Sequence, residues 1–168
     1  MSRTMTRLMT IALVALVALP LAACKKEEAP KVEAKPPMSA PATDDREAWV
    51  AYLNDAVPRN MAGITNQPYV YLLPAEDSPD FQDQYFRLME KAQSDVGRGI
   101  ITGNMLAYAS PASSRMADLV EASFESVPPE SMKGVRVLFF GEPADNERVK
   151  AAVEPAGVDY VFIDTSKK

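Results

Sequence analysis

Beyond residue 44, the apolar residues follow two patterns that alternate along the chain. In the first pattern, apolar side chains recur three and four residues apart, as on one face of an amphipathic helix. The second pattern is a short continuous apolar run, and each segment with helical spacing precedes one of these runs. The continuous runs are typical of buried strands, and they occupy residues 69–73, 105–109, 135–140 and 160–163. The pattern therefore predicts a helix and then a strand, four times over, in the order αβαβαβαβ.

The first predicted helix carries signals at both ends. Asp44 offers a capping carboxylate with Glu47 three residues later, and Pro58 ends or kinks the element. Its apolar face begins at Trp49, a residue that most often packs in the core when it stands on such a face. We expect this helix to bury that face against the sheet.

Strands that alternate with helices favour right-handed crossovers and a parallel sheet. We therefore expect an α/β fold, a three-layer sandwich with about four mainly parallel strands. The pattern leaves the strand order open, and an order such as 2-1-3-4 fits the helix count. A sheet of this kind hosts many unrelated activities, so the fold by itself assigns no function.

The first 24 residues have a different pattern. Arg3 and Arg7 precede an apolar run over residues 8–21, and small residues follow up to Cys24. Charged residues then stop the run short of the roughly 20 apolar residues that a membrane-spanning helix needs. This order is typical of a secretory signal peptide.

The tetrapeptide Leu21-Ala22-Ala23-Cys24 resembles the lipobox of bacterial lipoprotein precursors. The resemblance implies removal of residues 1–23 as a lipoprotein signal peptide, a diacylglycerol on the Cys24 thiol, and a further acyl chain such as palmitate on its amine. Two or three acyl chains anchor a protein firmly to a membrane. Lys25 stands where an aspartate commonly retains Gram-negative lipoproteins at the inner membrane, so the resemblance favours the outer membrane, facing the periplasm.

After Cys24, the chain reads as a tether followed by one domain. Residues 25–43 are mostly Pro, Ala, Lys and Glu, a composition too poor in large apolar residues to form a core, so we expect them to be disordered. Residues 44–168 form the single predicted domain.

Composition excludes several kinds of chemistry. The chain has no histidine, which argues against zinc sites and Ser-His-Asp triads, and its lone cysteine allows no internal disulfide or dithiol motif. We expect no cofactor. From residue 44 onward, 12 Lys and Arg stand against 20 Asp and Glu, a net charge of −8, so nucleic acid is an unfavourable partner.

Ligands of open parallel sheets bind beyond the carboxyl ends of the strands. Of the helix starts there, only that of Ser113, Ser114 and Arg115 combines hydroxyls and a cation with no acid, which makes these three the candidate ligand contacts. The simpler interpretation of either serine is a helix cap. A weaker alternative is a Ca²⁺ or Mg²⁺ site formed by loop carboxylates. Its candidate ligands are Asp77, Asp145 and Asp164.

Three hypotheses for the domain follow. The first is a non-catalytic envelope domain, anchored through Cys24, that docks on a periplasmic protein partner. The second is a small-ligand or ion-binding lipoprotein that uses the strand-end crevice. The third, and the least supported, is a histidine-free hydrolase, because no nucleophile has a recognisable base nearby in the sequence. Enzyme activity therefore stays open, although the composition argues against it.

Overall fold

Within residues 36–167, which the computed structural model describes, helices and strands alternate as the apolar spacing predicts. The helices are α1 (Arg46–Arg59), α2 (Phe81–Gly97), α3 (Ser113–Phe124) and α4 (Pro143–Val153). The strands are β1 (Tyr69–Leu72), β2 (Met105–Ala109), β3 (Arg136–Gly141) and β4 (Asp159–Asp164), and a short 3-10 helix (Glu154–Ala156) precedes β4. None of these helices is long and apolar enough to cross a membrane. The predicted signal peptide, the predicted lipidation site Cys24 and the predicted tether up to residue 35 lie outside the described residues.

The four strands form one parallel sheet in the order β1-β2-β3-β4. The α/β class is thereby confirmed, but the order 2-1-3-4 is wrong. Each strand is added beside its predecessor in the same direction, so right-handed crossovers carry α2, α3 and α4 over the same face of the sheet. A sheet wound in one direction has no point at which the strand order reverses.

The two faces of the sheet are covered unequally. The face under α2, α3 and α4 carries the larger buried cluster, which includes Tyr71, Tyr108 and Phe139. On the other face, α1 packs over the middle strands β2 and β3, with Leu138 and Phe140 beneath it. Trp49 is buried in this second cluster, which confirms the prediction that it belongs to the core.

Helix α1 begins one residue later than its sequence indicates. The N-cap is Asp45 rather than Asp44, and its side chain accepts a hydrogen bond from the Glu47 backbone N–H at 3.0 Å. Pro58 lies in the last turn, and the helix ends at Arg59, one residue beyond it. Pro58 therefore marks the end of the helix as the sequence predicts, because only one helical residue follows it.

Residues 36–43 lie against α1, although their composition predicts disorder. The Met38 backbone N–H donates to Asp55 at 3.0 Å, and the Trp49 indole N–H donates to the Thr43 carbonyl at 3.0 Å. Both contacts come from α1 side chains, which satisfy backbone groups that the segment cannot satisfy within itself. The folded unit therefore begins before residue 44.

Candidate functional site

At the carboxyl end of the sheet, Ser113 joins the starts of α3 and α4. Its hydroxyl donates to the Asp145 carboxylate at 2.6 Å and accepts from the Glu142 backbone N–H at 2.8 Å. Ser113 and Asp145 are both buried. The Ser113 hydroxyl therefore holds two helices together through one donated and one accepted hydrogen bond.

Ser114 is engaged by Arg148 of α4. The Arg148 guanidinium donates to the Ser114 carbonyl at 2.6 Å and to its hydroxyl at 3.2 Å, and it also binds Asp118 at 2.8 Å and Asp145 at 3.1 Å. Burial lowers the pKa of Arg148. The hydrogen bonds to Asp118 and Asp145 and the charge of Glu121 raise this pKa by more than burial lowers it, so the net shift is upward. Arg148 thus stays charged and fixes the first turn of α3.

Arg115 is the third candidate residue, and its charge is already balanced. Its guanidinium lies over the ring of Tyr85, 4.6 Å from the ring centre, in a cation–π contact. It also pairs with Asp118 at 3.1 Å and approaches Glu76 at 3.8 Å. An anionic ligand would have to compete with both carboxylates.

We call these residues the strand-end cluster: Ser113, Ser114, Arg115, Asp118, Asp145 and Arg148. The depression beside it has a volume of about 190 Å³, and Glu76, Glu142 and Asp145 contribute acidic groups to its lining. The sheet order supplies no crevice here, since such crevices form where the strand order reverses. The structure brings the three candidate ligand contacts together in the lining of this depression, but Ser113 and Ser114 already bind residues of α4, and Arg115 already pairs with Asp118.

The three carboxylates of the weaker metal alternative have separate surroundings. Asp77 is exposed, Asp145 belongs to the strand-end cluster, and Asp164 accepts from the Ser166 backbone N–H at 2.9 Å and its hydroxyl at 2.6 Å. Hydrogen bonds from Ser166 lower the pKa of Asp164. Among residues 36–167, no group of three or more His, Cys, Asp or Glu side chains is arranged to hold a metal ion.

A larger opening lies at the β1 edge of the sheet, with a volume of about 530 Å³. On the α1 side its lining includes Val50, Asn54 and Pro58, which recur four residues apart along one flank of the helix. The opposite flank of α1, which carries Asp55, is the one that contacts the segment 36–43. One flank of α1 is therefore covered by the chain itself, and the other is open.

The opening continues around the edge of β1 to the other face of the sheet. Val70 and Leu72 of β1 line its floor, and Leu88 and Lys91 of α2 line its far side. Val50 and Val70 are large apolar residues with 41% and 45% of their surface exposed. We call this surface the β1-edge groove: it lies between α1 and α2 and follows the open edge of the sheet.

The backbone of β1 has unpaired groups along this groove. Within residues 36–167, β1 pairs with β2 only, and the Leu73 backbone N–H donates to the Ala109 carbonyl at 3.1 Å. Because N–H and C=O groups alternate in direction along a strand, Tyr71 also faces β2, while the backbone groups of Val70 and Leu72 point outward. The groove thus combines an apolar lining with a free hydrogen-bonding edge.

The charged residues that line the β1-edge groove are both cations, Arg46 and Lys91. Arg46 is exposed and forms no ion pair with another residue of the described chain. Lys91 shares the carboxylate of Asp95 with Arg98, so this group of three charges keeps a net charge of +1. The groove is therefore a positively charged site on an acidic domain.

Below Lys91, Asp95 also accepts a hydrogen bond from the Tyr71 hydroxyl at 2.9 Å. Burial raises the pKa of Asp95. Hydrogen bonds from Lys91, Tyr71 and Arg98 together lower this pKa by more than burial raises it, so the pKa lies below its ordinary value. Tyr71 stacks on Tyr108 with ring centres 4.8 Å apart, and burial raises the pKa of both phenols. The buried Tyr108 hydroxyl has no hydrogen-bond partner within residues 36–167.

Sequence reasoning missed the β1-edge groove. Val50 follows Trp49 directly and falls outside the apolar face of α1, and Val70 belongs to a run that reads as fully buried. The signal in the sequence that could have indicated the groove is Val50, an apolar residue on the flank of α1 outside its buried face. Nothing in the pattern identifies β1 as an edge strand, because that depends on the strand order.

No protein-family model matches the sequence, and no curated protein or solved structure matches it.

Proposed function

We propose that the protein is an outer-membrane-anchored periplasmic lipoprotein whose domain is a non-catalytic docking module. The observation that carries the docking role is the β1-edge groove: an apolar opening of about 530 Å³ beside an unpaired strand. Apolar surface that stays exposed next to a free strand edge is typical of a site that another chain covers. The signal-peptide pattern of the first residues and the resemblance of Leu21-Ala22-Ala23-Cys24 to a lipobox support the anchoring.

The strand-end cluster offers less support for the alternative of a small-ligand or ion-binding lipoprotein. Its serines and arginines already bind carboxylates and backbone groups of the same domain. Its depression is also smaller than the groove and has several acidic residues in its lining. A ligand there would have to displace these internal contacts.

Photo-crosslinking in intact cells tests the docking role. A photoreactive amino acid at Val50 places the label in the β1-edge groove, and the same amino acid at Glu147, exposed on α4, is the matched control. We expect a discrete crosslinked protein from position 50 and none from position 147. Equal crosslinking from both positions, or none from either, contradicts a docking role for the groove.

The anchor has a separate test. Cells fed an alkyne analogue of palmitate should label the protein, and the Cys24→Ala variant should lose both the label and its membrane fractionation. An ordinary secretory signal predicts a protein without label that fractionates with soluble periplasmic proteins. Labelling that persists in the variant would contradict lipidation at Cys24.

A further inference from the structure

We propose that the β1-edge groove receives an extended, acid-bearing segment of a partner polypeptide, which pairs with β1 as a fifth strand of the sheet. This inference rests on the proposed docking function and names the chemistry of its partner. The groove is lined by α1 on one face of the sheet and by α2 on the other, so it occupies the place where the next strand would lie.

The hydrogen-bonding edge fits an added strand. The outward N–H and C=O groups of Val70 and Leu72 are the groups that a neighbouring strand would pair with, at a spacing of about 4.8 Å. Addition of a strand at an exposed sheet edge is a recurring mode of peptide recognition, in which backbone hydrogen bonds give affinity and alternate side chains give specificity. β1 has only four residues, so the paired part of the partner is short.

Alternate side chains of the added strand would meet different surroundings. Those that point toward α1 meet Val50 and Val57, and those that point toward α2 meet Leu88 and Lys91. Arg46 adds a second cation on the α1 side. An extended segment that carries apolar residues together with Asp or Glu matches this lining, whereas a basic segment does not.

The same charges disfavour two other occupants. A second copy of the chain, paired edge to edge, would bring Arg46 and Lys91 of both copies into one interface, and like charges brought together there are unfavourable. The chain's own residues 25–35 contain four lysines against three glutamates, and Pro30 in this segment lacks the N–H that pairing needs. An acidic segment of another polypeptide is the occupant that the charge favours.

A random eight-residue peptide library displayed on phage, selected against the full chain in detergent, tests the inference. We expect the selected peptides to be enriched in Asp or Glu, with apolar residues at every second position. Their labelled synthetic forms then serve as probes in fluorescence-polarisation titrations. Failure to select any peptide, or selection of peptides with apolar residues at helical spacing, would overturn strand addition.

The decisive variants are Val70→Pro and Val70→Ala. Proline removes the outward N–H at a position where an edge strand tolerates it, and alanine removes the same apolar surface but keeps the N–H. We expect Val70→Pro to weaken binding about tenfold more than Val70→Ala does. Equal losses in both variants would show that the groove binds without strand pairing, which would overturn this inference and leave the docking function standing.

Methylation of the peptide gives a second measurement that does not depend on how the variants fold. N-methyl groups placed one by one along the selected peptide should weaken binding at alternate amides, those facing β1, and have little effect at the others. A uniform response to methylation would overturn strand pairing.

A dimer in sedimentation that Val70→Pro dissociates would assign the edge to a second copy instead. Absence of both peptide binding and a crosslink from Val50 would remove the docking function itself.

Discussion

The strand-end cluster and the β1-edge groove differ in how completely their groups are satisfied, although the buried Arg115 Nε of the cluster has no hydrogen-bond partner within residues 36–167. In the strand-end cluster, the buried Ser113 hydroxyl, the Asp145 carboxylate and the Arg148 guanidinium all find partners within the domain. In the groove, Val50 and Val70 keep more than a third of their surface exposed, and the backbone edge of β1 has no neighbouring strand in the described part of the chain. The polar residues at the expected ligand site stabilise the fold, whereas the apolar residues at the β1 edge stay exposed to solvent.

This difference predicts how each region responds to mutation. Side chains of the strand-end cluster should matter for stability, because their removal leaves buried polar groups without partners. The exposed side chains of the groove, such as Val50, should matter little for stability.

Asp145→Ala should lower the free energy of unfolding by about 3 kcal/mol, since it leaves the Ser113 hydroxyl and one arm of Arg148 without their acceptor. Urea unfolding followed by circular dichroism measures this loss. Asp118→Ala is the control, because Asp118 binds the same arginine but has 38% of its side chain exposed against 11% for Asp145. It should lose no more than about 1 kcal/mol. Equal losses of unfolding free energy in the two variants would contradict the greater contribution of the buried Asp145 to stability.

Tyr71→Phe and Tyr108→Phe form a matched pair next to the groove. Tyr71→Phe removes the hydrogen bond to Asp95 and should destabilise the domain by about 1.5 kcal/mol. Tyr108→Phe removes a buried hydroxyl that has no partner in the described part of the chain, so the domain should be unchanged or slightly stabilised. The urea midpoints of the two variants measure the difference. A larger loss in Tyr108→Phe would show that its hydroxyl has a partner in solution.

A smaller effect is expected from the ionisation of Asp95, whose pKa is lower in the folded protein than its ordinary value of 3.8. A group with a lowered folded pKa stabilises the fold above its unfolded pKa and loses that contribution as the pH falls through the folded one. Stability should therefore decline as the pH drops from about 5 to below 3.8, and the decline should be shallower in Asp95→Asn. Thermal melts across this range measure both slopes. Parallel slopes would show that the lysine and tyrosine contacts do not favour the carboxylate.

The smallest expected change comes from the groove itself. Val50→Ala should alter the free energy of unfolding by less than about 0.5 kcal/mol, because 41% of Val50 is already exposed to solvent. Val57→Ala, on the same helix but buried, should destabilise by about 2 kcal/mol. If both valines contribute equally to stability, Val50 belongs to the core, and the groove loses its distinction from the strand-end cluster.

The sequence predicts the elements of this fold better than their arrangement. The apolar run over residues 105–109 coincides with β2, because a strand buried on both faces leaves a continuous signal. Strand order leaves no such signal, since hydrophobic spacing reports that a residue is covered and not which neighbour covers it. For that reason β1 could not be recognised as an edge strand from the pattern alone.

The candidate site shows the same limit. Ser113 and Ser114 stand out in the sequence because no acid shares their helical turn. The residues that engage them, Asp145 and Arg148, lie about 30 residues further along the chain and arrive only through the packing of α4 against α3. Long-range partners of this kind cannot be read from local patterns, and they decide whether a polar group is available to a ligand.

The position of α1 has a consequence for how the protein folds. Every strand pairs with the next strand in the chain, so the sheet can grow one unit at a time through contacts of moderate sequence separation. Helix α1 is the exception: the ring of Tyr52 packs against that of Phe140, 5.8 Å away, from the far end of the domain's sequence. Contacts between distant residues form slowly, because a long loop must close first. Helix α1 precedes β3 in the chain, but it is therefore expected to take its final place only after β3 has formed.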